Sequence, residues 1–115
     1  MDKRTVNRFE IPLKLDVRAV DYDQRFNAYT KDISMKGIRM LSQQSLNDGT
    51  ILDLRLCFPN IPQEEVLAKV LWTKKKEDTF ESGCVFINMP DYIKEDIYTY
   101  MTQYFPNELR KRWWM

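Results

Sequence analysis

Ile11-Pro12-Leu13-Lys14-Leu15-Asp16-Val17-Arg18-Ala19 alternates without a break. Ile11, Leu13, Leu15, Val17 and Ala19 share one face, while Pro12, Lys14, Asp16 and Arg18 share the other. That is the two-residue period of a strand with one side in a core and one in water. Pro12 has no amide to donate, which places it at a strand start or an edge. Working outward, the same period returns. Residues 26–33 and 38–41 read as the next two strands, with 34–37 as their connection. Leu52, Leu54, Leu56 and Phe58 alternate, 59–63 interrupts, and Val66, Ala68, Val70 and Trp72 resume the pattern. Residues 74–78 read as a polar turn, after which Phe80, Cys84 and Phe86 form a last strand. Short strands in this number, separated by turn signals, predict a mainly all-β antiparallel barrel, closed or nearly so.

After Pro90 the period changes. Ile93, Ile97, Met101 and Tyr104 recur every three to four residues, which predicts an amphipathic helix over 91–105 with Asp91 and Glu95 near its positive N-terminal end. Such a helix would close one opening of the barrel. Beyond it, Arg110-Lys111-Arg112-Trp113-Trp114 mixes basic and aromatic residues. As a helix end this tail packs its tryptophans on the barrel, and as a free surface it suits a protein or membrane interface.

A chain of 115 residues fits one domain with a real core. Hydrophobic content of 43% and charged content of 30% are those of an ordinary globular protein, and 13% aromatic residues argue for a packed sheet over disorder. The expected organisation is a flexible N-terminal arm over 1–10, a barrel over 11–89, and a helix with its basic, aromatic tail over 90–115. A net charge of +1 argues against a generic nucleic-acid coat, so no nucleic-acid polymer is expected as partner and any anion site must be local. Cys57 and Cys84 form no C-x-x-C and lie in strand-like runs, as small buried apolar residues do. No leader-like or bilayer-length apolar stretch is present, which predicts a cytoplasmic protein without an integral membrane segment. Histidine is absent, which removes the usual general base, the Ser-His and Cys-His nucleophile pairs and the commonest zinc ligand. Glu64-Glu65 and Glu77-Asp78 fall in expected turns, where solvated carboxylates need no chemical role. No catalytic residue, metal ligand or cofactor is assigned, and the expectation is a protein that is not an enzyme.

Two short motifs remain. Arg4-Thr5-Val6-Asn7-Arg8 precedes the first strand, and Asp32-Ile33-Ser34-Met35-Lys36-Gly37 lies at the junction of the next two. The first supplies two guanidinium forks. The second supplies a carboxylate, a hydroxyl and a glycine where backbone can come close to a ligand. Together they suit a purine nucleotide with phosphates. In this order and context, RxxxR followed by [D/N]xSxxG resembles the signature of the PilZ family, whose ligand is the bacterial second messenger cyclic di-GMP (c-di-GMP). The resemblance extends over roughly residues 3 to 88, through Leu52 to Pro59, the V-x-W of Val70 and Trp72, and the G-x-x-F of Gly83 and Phe86.

What the resemblance implies is a six-stranded antiparallel barrel with a C-terminal helix, acting as a c-di-GMP receptor or adaptor without enzymatic activity. Its output would be contact with an unidentified effector protein, in motility, adhesion or exopolysaccharide control. Arg8 would meet a guanine Hoogsteen edge or a phosphate, and Arg4 would make the companion contact. Asp32 would accept from the guanine N1 and N2 donors. Ser34 would touch the ligand or fix the loop, Gly37 would let the turn approach, and Trp72 would either stack on a base or fill the core. The alternative is a PilZ-like protein-interaction module that binds no nucleotide; a single-stranded nucleic-acid binder ranks third.

Overall fold

The computed structural model of the chain describes residues 13–57 and 64–101, with backbone only at 100 and 101. The expected arm over 1–10, Ile11, Pro12, Phe58, Tyr104 and the Arg110 to Trp114 tail lie outside them. The elements are β1 (Lys14–Ala19), β2 (Gln24–Ile33), β3 (Gly37–Ser42), β4 (Ile51–Leu56), β5 (Glu64–Lys76), β6 (Thr79–Ile87) and α1 (Asp91–Met101). The strands close a barrel in the order β1-β2-β3-β6-β5-β4, every neighbouring pair antiparallel. The seam is β1 against β4, with Leu15 opposite Leu56 and Ala19 opposite Leu52.

Alternation builds the core. Leu15, Val17 and Ala19 of β1, Leu52, Leu54 and Leu56 of β4, and Val66, Ala68 and Val70 of β5 all point inward and are buried. Ala28, Ile33, Ile38, Met40 and Cys84 complete the barrel interior. Each large aliphatic side chain so buried contributes about 1.5–3 kcal/mol. Ile93 and Ile97 of α1 belong to the same apolar cluster, so the helix lays its predicted stripe on the barrel core. A hydrogen bond between the Glu64 and Asp96 side chains ties α1 to the start of β5. The helix therefore lies at the end of the barrel where β4 finishes and β5 begins.

Two expectations need correction. Residues 74–78 are not all turn: β5 runs on through Lys74, Lys75 and Lys76, paired with Glu81, Phe80 and Thr79, and the turn shrinks to Glu77-Asp78. Lys74 to Lys76 are exposed on both faces, so no apolar alternation marks this stretch as strand. Likewise Glu64 and Glu65 open β5, opposite Leu56 and Arg55, and are not loop residues. Backbone pairing with β4 holds them extended while their carboxylates meet Asp96 and Arg55. Both cysteines are free thiols, Cys84 buried and Cys57 half-buried. No helix among the described residues is long and apolar enough to cross a membrane.

Candidate functional site

Strand register brings two of the predicted residues into one row. Asp32 on β2 is opposite Arg39 on β3, Arg39 is opposite Gly83 on β6, and Gly83 is opposite Trp72 on β5. The adjacent row, Ile33, Ile38, Cys84 and Val70, points into the core. By the alternation of strands, the Asp32–Arg39–Gly83–Trp72 row is on the outer face. Three strand spacings of ~4.8 Å make it about 14 Å long.

Two β-bulges create this row. Register shifts between Thr30 and Asp32, where Lys31 is the extra residue, and between Val70 and Trp72, where Leu71 is. Thr30 points inward and accepts a hydrogen bond from the Leu13 amide at 2.8 Å. Simple alternation would then turn Asp32 inward as well; the bulge re-aims it. The second bulge does the same for Trp72, which the sequence pattern placed on the face of Val66, Ala68 and Val70. Trp72 is half-buried on the outer surface and takes no part in the core cluster, which removes the core-filling alternative for it.

The row is packed and charged. Asp32 is 1% exposed, and its Oδ2 accepts from Arg39 Nε at 2.7 Å and also from Arg39 Nη2. The Trp72 ring lies across Gly83: a β-carbon there would overlap the indole, with Cζ2 at 2.6 Å. Lys74 Nζ stands 5.1 Å from the ring centroid, a cation–π contact. On the sequence alone Arg39 and Lys74 have no part in a site, and Gly83 enters only within the G-x-x-F element. The outward place of Arg39 between apolar Ile38 and Met40 was the one available signal.

Ser34 and Gly37 do structural work at the β2–β3 turn. Ser34 is fully buried, its Oγ accepts from the Lys36 and Gly37 amides at 3.3 Å each, and its own amide donates to the Gly37 carbonyl at 2.9 Å. Of the two roles expected for Ser34, loop fixing is the one these bonds perform. A β-carbon on Gly37 would collide with the Cys84 carbonyl oxygen and reach its carbon at 3.3 Å, so glycine here permits close approach of β3 to β6. The turn that ends in Gly37 is thereby held two residues along each strand from the Asp32–Arg39 pair, with Ile33 and Ile38 between. Arg4 and Arg8 lie outside the described residues.

Elsewhere on the barrel, a cleft of about 340 Å³ opens over the outer faces of β1, β2, β4 and β5. Two of its arginines already have acids: Arg18 with Asp53 at 3.2 Å and Arg55 with Glu65 at 2.9 Å. It contains none of the motif residues. Burial pushes the Cys84 thiol up to about 12, and burial beside Asp16 raises that of Cys57. Neither is activated as a nucleophile. Among the described residues no group of three or more His, Cys, Asp or Glu side chains could hold a metal ion.

Compared with family models, residues 2–103 match the PilZ domain. This chain belongs to the PilZ domain family. Its fold is shared with solved members. This PilZ domain is similar to the c-di-GMP-bound PilZ domain of YcgR from Escherichia coli, with a TM-score of 0.70, 13% identity and 96% coverage of each chain. It is similar to the Bacillus subtilis inhibitor of motility MotI/DgrA, with a TM-score of 0.72 and 14% identity over 90% of this chain and 52% of that one. It is also similar to the MrkH–c-di-GMP complex of K. pneumonia, with a TM-score of 0.70 and 15% identity over 97% and 56%. The chain spans about half the length of the latter two proteins, and at these identities the likeness is one of fold. Among curated proteins, none shows significant sequence similarity to it.

Proposed function

We propose that this PilZ domain is a cytoplasmic c-di-GMP receptor that acts through contact with an effector protein and catalyses no reaction. The observation that carries the reading is the single outer row joining Asp32 to Trp72 beside the Ser34–Gly37 turn. Residues 40 positions apart in sequence fall in one row there, as a recognition site for a flat, anionic, hydrogen-bonding ligand requires. Arg8 takes a guanine Hoogsteen edge or a phosphate, and Arg4 makes the companion contact; both are planar forks suited to either. The Asp32 carboxylate, with several lone-pair directions, accepts from guanine N1 and N2 while Arg39 orients it. Ser34 and Gly37 hold the turn at the site's edge, and the Trp72 face stacks on a base. The YcgR and MrkH structures, each holding c-di-GMP on this fold, support the ligand, and the name of MotI supports motility as one process so regulated. Adhesion and exopolysaccharide control are the other processes suited to such a receptor.

One observation favours a second reading. Arg39 already engages the Asp32 carboxylate, as in a PilZ-like interaction module that binds no nucleotide. Calorimetry of the full chain against c-di-GMP separates the two. Saturable heat that Arg8→Ala and Asp32→Ala each reduce by about tenfold or more in affinity, a loss of 1–3 kcal/mol per contact, supports the receptor. No heat with the unmutated chain selects the interaction module.

A further inference from the structure

The outer face of β5 and β6 carries an apolar patch of unusual exposure for a sheet. Leu67 is 44% and Leu71 52% exposed, and both flank exposed Lys69 along β5. Ile87 and Val85 of β6 lie opposite Leu67 and Lys69, and Ile51 of β4 lies opposite Lys69 from the other side. Among the described residues Lys69 makes no ion pair. The acid nearest by register, Asp53 opposite Leu67, is held by Arg18 at 3.2 Å.

The complementary surface is a few residues away. β6 ends at Ile87, and α1 starts at Asp91 on the same rim of the barrel. Its outward side presents Tyr92, 62% exposed, and exposed Glu95. Asp91 is paired with Lys94 and Asp96 with Glu64, whereas Glu95 has no ion pair among the described residues. One unspent cation set among leucines thus neighbours one unspent anion beside an exposed tyrosine.

Two such patches side by side are self-complementary under a two-fold axis, since each copy offers both the receiving and the inserted surface. We propose that two copies of this chain pair through this face, with Tyr92 and Glu95 of each docking on Leu67, Lys69 and Leu71 of the other. Aromatic and aliphatic contacts supply the attraction, while the Lys69–Glu95 pairs set register and exclude wrong orientations. The proposal does not depend on nucleotide binding.

Sedimentation velocity of the full chain, from roughly 5 to 200 µM, tests it in the micromolar range of a small interface. The unmutated chain should form a dimer. Lys69→Glu and Glu95→Lys, each placing like charges together twice per dimer, should each weaken it by at least about tenfold. Mixed in equal amounts the two variants should pair again, because each contact then regains opposite charges. Both residues are exposed, and circular dichroism of each variant checks that the fold is unchanged. A monomer throughout the range overturns the proposal and leaves the patch to another protein. A dimer indifferent to both reversals, or a mixture that stays monomeric, overturns it as well.

Discussion

The indole of Trp72 occupies the space that any side chain on Gly83 would need. Gly83→Ala should therefore push the ring off the barrel and cost about 1–3 kcal/mol, the usual range for overpacking. In a Trp72→Ala background the same change should be nearly neutral. Urea unfolding of the two single variants and the double variant measures this coupling directly.

Asp32 and Arg39 should be coupled in stability before any ligand is added. Removing Arg39 takes two charge-assisted hydrogen bonds from a carboxylate that is 1% exposed, so Arg39→Ala should cost about 1–3 kcal/mol. Arg39→Lys should recover only part of this, because an ammonium cannot reproduce the fork. Chemical denaturation midpoints decide it. The same data provide the baseline against which binding losses in Asp32→Ala must be read.

Gly37→Ala should destabilise whether or not ligand is present. Its β-carbon meets the Cys84 backbone, which cannot rotate away as a side chain could. A cost of about 3 kcal/mol follows from overpacking against a fixed neighbour. Equal drops in melting temperature with and without c-di-GMP would confirm a structural role; a drop seen only with ligand would refute it.

The contribution of Glu64 to stability should fall as pH rises from about 4.5 to about 7. The hydrogen bond that the protonated Glu64 carboxyl donates to Asp96, then burial, then the Asp96 charge push that carboxyl up from 4.5 to about 7 in the folded chain. Between those values the folded state keeps a proton that the unfolded state releases, so deprotonation favours unfolding. The contribution is fully present below pH 4.5 and lost above pH 7. Glu64→Gln keeps a donor toward Asp96 and should remove that group's share of the decline. Thermal melts at pH 5, 6, 7 and 8 for both proteins give the comparison.

Glu77 turns the β5–β6 hairpin with φ of 48°, a left-handed conformation unfavourable for a residue with a β-carbon. Glu77→Gly should stabilise the protein by about 0.5 kcal/mol, the relief of strain exceeding the added freedom of the unfolded chain. A raised melting temperature is the expected result.

Strands with one buried face were legible in the sequence, because Leu15, Val17, Leu52, Leu54, Val66 and Ala68 write the period of two directly. The helix was legible through Ile93 and Ile97 for the same reason. The hairpin tip was not, since Lys74 to Lys76 bury nothing and carry no pattern. The site was half legible. Motif spacing located Asp32, Ser34 and Gly37, but the bulges at Lys31 and Leu71 invert the faces that alternation assigns downstream of them. An extra residue leaves no signature in hydrophobicity, so the outward turn of Trp72 and its place in one row with Asp32, Arg39 and Gly83 emerged only from the register.

Pairing of β4 with β5 stops at Ile51 and Lys69, and one further step joins Thr50 to Val70. From Leu71 to Lys76, β5 therefore has β6 on one side and, among the described residues, no strand on the other. This is a stretch of open backbone ladder among the described residues, and three consecutive lysines stand along it. Mutual repulsion between such edges, with the cost of stripping water from their ammonium groups, deters a foreign strand from zipping on. Lysine thus guards this edge against amyloid-like misassembly, and neutralising all three would trade solubility for sheet growth.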